Sequence, residues 1–228
     1  MVFLLVFLTG LYIYLHALNN LIPLESYLEF VTVGYLVVAF LNICGGAGFE
    51  LIRERNEGKW LYDKTFPIPA YSYAFSRIVG ISLRGYVNFI LCILLALPFL
   101  LQSLSFRGIV TLLLVSAILS VVFTGLSVTP LAFSDNLNLQ VALGMILRSW
   151  LLFGSNIFYP TSLLPSWLQV ITKANPVTWG LGFVRNSIGI PYGMEVSVLE
   201  VTLALTGSVG LAVGGGMIAI TRFHGRTH

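Results

Sequence analysis

Six stretches of about 18 to 25 residues, nearly empty of charge, dominate this 228-residue chain and decide the solvent in which it can fold. They cover 1–18, 30–49, 78–101, 109–133, 141–158 and 198–220, each bounded by charges, prolines or polar clusters. A helix rising ~1.5 Å per residue needs about 20 apolar residues to cross ~30 Å of hydrocarbon, so each run predicts one transmembrane helix. Composition leaves no alternative. With 57% hydrophobic residues, 9% charged residues and a mean hydropathy of +0.92, the chain lacks the polar side chains that a water-facing surface requires. A formal net charge of +3 is too small a basic excess for nucleic-acid binding, and this hydrophobicity excludes disorder. The expected fold is therefore an all-α integral membrane protein, one domain over 1–228 with six transmembrane helices.

The first run starts at Met1 with no Lys or Arg before it and shows no small-x-small cleavage pattern after Leu15-His16-Ala17, so it is expected to be a retained span. The fourth and fifth runs are joined only by the polar segment 134–140, short enough to force antiparallel neighbours. Basic residues set the expected orientation. Arg53, Arg55, Lys59, Lys64, Arg77, Arg222 and Arg226 fall on one side, Arg107, Lys173 and Arg185 on the other, seven against three. Positive loops stay inside, which places both termini and the 50–77 segment in the cytoplasm of a multi-pass cell-membrane protein.

Two segments between the runs carry more pattern than a plain loop. Residues 50–69 interleave charges with Leu51, Leu61, Tyr62 and Phe66 and end at Pro67 and Pro69. That pattern predicts a short amphipathic helix stopped by the prolines, either a solvated cytoplasmic loop or a docking surface for a soluble subunit. Residues 158–191 are apolar but cut by Pro165, Pro176 and Pro191 into pieces too short to span. They read as re-entrant or interfacial helices with Trp167 and Trp179 at headgroup level, or as an amphipathic loop lying on the membrane.

Together these segments resemble the type-2 ATP-binding-cassette (ABC) transporter permeases. Glu50, Arg53-Glu54-Arg55-x-x-Gly58 and Pro67 look like that family's Glu, Arg-Glu-x-x-Gly and Pro element after the second span. Phe158-x-Pro160, Leu164-Pro165-x-Trp167-Leu168, Asn175-Pro176 and Arg185 are similar to its Phe-x-Pro, Leu-Pro-x-Trp-Leu, Asn-Pro and Arg series between spans five and six. The resemblance implies a permease subunit that forms the pathway of an exporter, beside a second permease copy or paralogue and among membrane lipids. A separate ABC ATPase would carry ATP and Mg. Glu50, Arg53, Glu54, Arg55, Gly58 and Pro67 would then couple to the ATPase, and Pro160, Pro165, Trp167, Asn175, Pro176 and Arg185 would form an extracellular re-entrant gate. Members of the family usually open with an amphipathic helix, whereas this sequence opens at Met1-Val2-Phe3-Leu4, so that helix is either truncated or its contacts are missing.

Polar groups inside the runs need partners, because hydrocarbon offers none. A central Arg costs roughly 3 kcal/mol on insertion scales. Arg148 therefore faces the bundle, a vestibule or a carboxylate such as Asp135, or snorkels to the interface. Arg84 is expected to snorkel or to pair with Glu50. Asn42 and Asn156 either glue helices or, with Arg148, Phe153 and Phe158, line the pathway that the family resemblance assigns to spans two and five. Gly210 and Gly214 form a G-x-x-x-G pair expected to pack within the subunit. Cys44 and Cys92 fit neither a disulfide framework nor a zinc ribbon. There is no His-Glu-x-x-His, Gly-x-Ser-x-Gly or Gly-x-x-x-x-Gly-Lys-Ser/Thr, so neither hydrolytic machinery nor a phosphate cradle is written here and no metal or cofactor is expected in this chain. The competing readings are an ATPase-independent carrier or channel, and a membrane scaffold or immunity protein.

Overall fold

A computed structural model of the chain describes residues 24–59, 65, 68–100, 106–133, 136–158, 160–161, 164–190 and 197–225. The first predicted run, Pro67 and Pro191 lie outside these residues. Among the described residues the structure is all-helical, with no strand. The helices are α1 (Leu24–Cys44), α2 (Ala47–Asn56), α3 (Ala70–Leu100), α4 (Phe106–Val128, extended by a 3-10 turn over Thr129–Ala132), α5 (Leu137–Phe153), α6 (Ser166–Lys173), α7 (Pro176–Ile188) and α8 (Val198–Gly225).

Four stretches are long and apolar enough to cross a membrane: Phe30–Asn56, Ala70–Leu94, Phe106–Ala132 and Val198–Arg222. The six-span expectation therefore reduces to four among the described residues. The fifth run differs for a physical reason. Its helix starts at Leu137, where the Asn136 side chain accepts hydrogen bonds from the amides of Asn138 and Leu139, and stops at Phe153, where Gly154 caps it. Seventeen residues rise only about 25 Å, and the chain then runs irregularly through 154–158.

The segment 50–69 also divides differently. Its charged half is not a separate helix but the direct continuation of α1, offset at Gly45–Gly46, where the Gly45 amide still reaches Leu41 O at 2.8 Å. This helix, α2, ends at Asn56, and residues 60–64, 66 and 67 lie outside the described ones. Gly58, at φ 75°, takes the left-handed position past its C-terminus, a conformation that side-chain-bearing residues adopt only at a cost. At the other end, α3 begins eight residues before the third run; its 31 residues rise about 46 Å, more than a bilayer core, so it reaches beyond the apolar layer and runs alongside α2.

Sequence patterning explains which faces are hidden. On α3, Tyr71, Phe75, Val79, Leu83, Val87, Leu91 and Leu94 recur about every fourth residue and stay exposed, a stripe suited to lipid. The main core gathers Phe30, Leu36 and Leu41 of α1 with Phe89, Leu119, Phe123, Leu181 and Leu205. A second cluster joins Leu51 and Ile52 of α2 to Ala74, Ile78, Val128, Leu131, Ala219 and Ile220, so Leu51 packs inward and not toward lipid or a partner.

The crossing of α4 and α8 corrects the glycine expectation. Among the described residues a Cβ at Gly207, Gly210 or Gly214 would meet nothing within 4 Å, whereas one at Gly125 would collide with the Ala212 carbonyl, and one at Gly216 would lie 3.1 Å from the Gly125 backbone. The close approach is made by Gly125, Ala212 and Gly216, and among the described residues the G-x-x-x-G face meets no neighbour. Glu200, the acid near the start of α8, closes a capping box: its carboxylate accepts from the Ser197 amide at 3.0 Å while Ser197 Oγ accepts from the Glu200 amide at 3.2 Å. Replacing Gly125 by Leu is expected to prevent a monodisperse fold or to cost at least about 1–3 kcal/mol of stability, while Gly210→Ala should leave the thermal midpoint of the detergent-solubilised protein unchanged.

Candidate functional site

Three polar constellations interrupt the apolar packing, and they hold most of the residues singled out by sequence. The first lies where α2 meets α3. Arg84 donates to both Glu50 carboxylate oxygens, at 3.0 and 3.1 Å, so the expected Glu50–Arg84 pair is present. About one turn further along α2, Glu54 accepts from Arg77, whose guanidinium also sits 5.9 Å from the Tyr73 ring centroid. With Leu51 and Ile52 buried between them, these two ion pairs clamp α2 to α3. Gly48 adds backbone contact with α4, since a Cβ there would strike the Ser127 carbonyl, and Ser127 Oγ donates to Cys44 O at 2.8 Å. Arg53 reaches Glu57 at 3.5 Å and Lys59 reaches it at 2.7 Å. Those groups are exposed, so their pairing is weak, but the hydrogen bond and charge of Lys59 hold the Glu57 carboxyl below its ordinary range. Of the six predicted coupling residues, Glu50, Arg53, Glu54 and Arg55 share α2, Gly58 terminates it, and Pro67 lies outside the described residues.

The second constellation lies at the opposite end of α1 and is the most buried. Arg185, on α7, is fully enclosed. Its Nη1 donates to Asn156 O at 2.8 Å and its Nη2 to Phe30 O at 2.8 Å and Ile157 O at 3.1 Å. The guanidinium carbon stands 3.4 Å from the Phe30 ring centroid, a stacked cation–π contact. Gly34 makes the approach possible, because a Cβ there would collide with Ile157 O and lie 2.9 Å from Arg185 Nη2. Counted by sequence as a loop charge, Arg185 is instead a buried tie between α1, α7 and the irregular backbone after α5.

Asn175 makes a similar tie at the other end of α7: its Oδ1 accepts from the Val177 amide at 3.0 Å, and its Nδ2 donates to Trp150 O at 2.9 Å and Leu151 O at 3.3 Å. Asn175-Pro176 is thus an N-cap followed by proline at the first helical position, where the missing N–H costs nothing. The amide simultaneously satisfies carbonyls at the C-terminal end of α5. Asn156 is itself buried beside Arg185, while Pro160 is buried too. The preceding helix α6 behaves differently. Trp167, Val170 and Ile171 line one exposed face, and Pro165 precedes its first turn. Trp179 Nε1 donates to Lys173 O at 2.7 Å, fixing the α6–α7 corner, and Gly180 packs on Val115 and Leu119 of α4 at 2.9 Å from a notional Cβ. One helix of this segment is therefore exposed and amphipathic, the other buried in the bundle.

The third constellation joins α1 to α5: Arg148 Nη2 donates to Asn42 Oδ1, and Asn42 Nδ2 donates to Val38 O at 3.0 Å. Phe153 and Phe158 stack with ring centroids 6.3 Å apart. Of the predicted pathway residues, Asn42 pairs with Arg148 and Phe153 with Phe158, whereas Asn156 belongs to the Arg185 cluster. Sequence reading did not single out Phe30, Gly34, Arg77 or Ser127 for these roles. Arg77 sits 23 residues from Glu54, beyond any helical spacing rule, and Gly34 is one glycine in an apolar run. No group of three or more His, Cys, Asp or Glu able to hold a metal occurs among the described residues.

The fold and these sites define a multi-helix membrane protein whose irregular segments are stitched to their neighbours by polar side chains. The family model for the ABC-2 type transporter matches residues 1–188, and the chain belongs to that family. Comparison with curated proteins gives no match, and comparison with solved structures gives none either. Membership makes the chain the membrane transport component of an ABC transporter system, a kind of system that works with an ATPase.

The stitch predicts a measurable asymmetry. Asn175→Ala removes a cap and takes a donor from Leu151 O, while Trp150 O keeps the Gly154 amide, and is expected to cost about 1–3 kcal/mol, read as a fall of about 5 °C in the thermal midpoint in detergent. Trp167→Ala, on the exposed face of α6, is expected to leave that midpoint within about 1 °C.

Proposed function

We propose that this chain is the permease subunit of an ABC exporter, lying in the cell membrane with both termini cytoplasmic. It forms the pathway with a second copy or paralogue and is driven through α2 by a separate ATPase that binds ATP and Mg. The observation that carries this reading is the clamped state of α2. A force transmitter has to be rigid toward the membrane and open toward its partner. Glu50–Arg84 and Glu54–Arg77 bind α2 to α3, while Arg53, Glu57 and Lys59 remain exposed at its C-terminal end. A push on that exposed face is delivered to α3 and, through Gly48 and Ser127, to α4. The counts of basic residues support the cytoplasmic assignment further: with Arg185 buried, Arg107 and Lys173 are the described cations left on the opposite side.

Charge exchange tests the coupling. Glu54→Arg and Arg77→Glu are each expected to lower the ATP-hydrolysis rate of the reconstituted permease–ATPase complex at least about fivefold, and the double exchange to restore much of it. Equal rates in all four proteins would remove α2 from the coupling route. The prior step is to tag the chain, solubilise native membranes mildly and look for a Walker-motif ATPase in near-equal amount; its absence with the permease intact would favour the carrier or scaffold reading.

A further inference from the structure

The contact of Gly125 with Ala212 and Gly216 brings α4 and α8 together. Towards residues 106 and 198 the small residues give way to Leu, Ile and Val, and a cavity of about 420 Å³ opens between the two helices, with Phe183 of α7 as a third wall. It follows residues 198–209 on α8 and 114–118 on α4. Leu114, Val198, Thr202 and Thr206 on its rim are exposed, so it is open to whatever solvates the bundle. Its walls call for an apolar occupant, because the two hydroxyls that border it are spent on their own helix. Thr202 Oγ1 donates to Val198 O and Thr206 Oγ1 to Thr202 O, each at 2.7 Å.

The dimensions decide which apolar occupant. Val198 is the first residue of α8, and the step from there to Val209 rises about 17 Å, close to half of a ~30 Å hydrocarbon layer. The groove thus runs from one edge of the apolar layer to near its middle. Spread over that length, its volume gives a mean cross-section of about 25 Å², against roughly 80 Å² for a helix 10 Å wide. Another helix is too thick to enter; one extended hydrocarbon chain is not.

The end of the groove nearest the headgroups carries a cation. Arg107, the second residue of α4, is exposed. It precedes Leu114 by seven positions and Ile118 by eleven, spacings that return to the same helix face, and it lies about 10 Å nearer the edge of the layer than Leu114. A helical side chain leans towards the N-terminus of its helix, which here is away from the hydrocarbon. Among the described residues Arg107 forms no ion pair. Glu200, the described acid at this end of α8, points about 200° round the helix from Val198 and is held by Ser197. A planar guanidinium matches two oxygens of a phosphate, and the groove on the same face takes a chain.

We propose that the groove between α4 and α8 holds one acyl chain of an anionic phospholipid whose phosphate is bound by Arg107. This site is separate from α2 and does not depend on the permease reading.

The test uses the full chain purified in mild detergent, titrated with phosphatidylglycerol or with phosphatidylcholine of identical acyl chains, and reads the tightest-bound lipid by native mass spectrometry. Wild type is expected to hold phosphatidylglycerol about fivefold more tightly and Arg107→Gln to bring the two within about twofold. Arg222→Gln, which removes an exposed cation at the opposite end of α8, is expected to keep the wild-type preference. An unchanged preference in Arg107→Gln overturns the site. Thr206→Trp fills the groove from an exposed position and is expected to lose the tight lipid of either kind; a retained one overturns the placement of the chain. Should either variant not fold, phosphatidylglycerol with a photoactivatable group in its acyl chain decides on the wild type. Adducts within 114–118 or 198–209 at least about threefold above those from the matching phosphatidylcholine support the site, and equal labelling overturns it. Disulfide formation between two Thr206→Cys chains in native membranes would put a second copy in the groove and overturn the lipid.

Discussion

Backbone that leaves its helix inside an apolar layer needs hydrogen-bond donors from somewhere, and water is not there to give them. The rest of the molecule is arranged around that demand. When α5 stops at Phe153, the carbonyls of Leu151, Asn156 and Ile157 take donors from two side chains on the next buried helix, and Trp150 O accepts from Asn175 besides the Gly154 amide. Asn175 supplies one end of α7 and Arg185 the other, ten residues apart on a 13-residue helix. Each satisfies more than one chain segment at once, and Arg185 also reaches Phe30 O on α1. The break in α5, the burial of α7 and the seating of α1 are therefore one arrangement held by two side chains.

This gives the Asn-Pro and Arg elements a physical meaning that sequence resemblance alone does not contain. Proline at the first position of α7 starts the helix without an orphaned N–H, and asparagine before it caps the helix with its side-chain oxygen while its NH2 donates to α5. A residue that merely capped could be Ser or Asp; one that must also donate to carbonyls needs the NH2 of Asn. Arginine at 185 is similarly overdetermined. Lysine has a point charge where three carbonyls and a ring face surround a planar group, and Gly34 is small because that plane passes close to α1.

Much of the fold was legible because lipid imposes simple rules. The second, third, fourth and sixth runs appear as long helices at nearly the expected places, since length and hydropathy decide spans almost alone. Glu50–Arg84 was legible because both charges sit at the same end of adjacent spans, where an unpaired charge is costly. The fifth run appears as a shorter helix than its hydropathy implies, because hydropathy continues through Leu152, Phe153 and Phe158, while the break is set by the three polar or small residues 154–156 and by distant donors. The glycine crossing was misread for a related reason. G-x-x-x-G spacing reports a smooth helix face without saying what lies against it, and the face that meets α4 is Ala212 and Gly216. Arg185 was placed in a loop because counting charges treats every cation as solvated. Nothing local in the sequence distinguishes a cation that faces water from one that is the centre of a hydrogen-bond cluster; only the positions of Phe30, Gly34 and Ile157, from two other segments, do so.

Mechanical consequences follow from where rigidity ends. α2 is fixed to α3 by two ion pairs and to α4 by the Gly48–Ser127 contact, so it cannot tilt alone. The α1–α2 junction is the weaker joint: at Gly45–Gly46 the helix hydrogen bonding is interrupted, with Gly46 N reaching Ile43 O in place of a full helical partner. A displacement of α2 with α3 and α4 is therefore absorbed at this junction, while the far end of α1 stays pinned to Arg185. The side chain beside the junction is Arg148, whose Cδ lies 3.7 Å from where a Gly45 Cβ would stand, and Asn42 is less than one turn away on α1. Relative movement of α1 and α5 at that level changes the distance between the cation and its neutral partner, and with it the electrostatic environment of the open face of α5. The joint that yields and the Arg148–Asn42 hydrogen bond thus occupy the same place in the bundle.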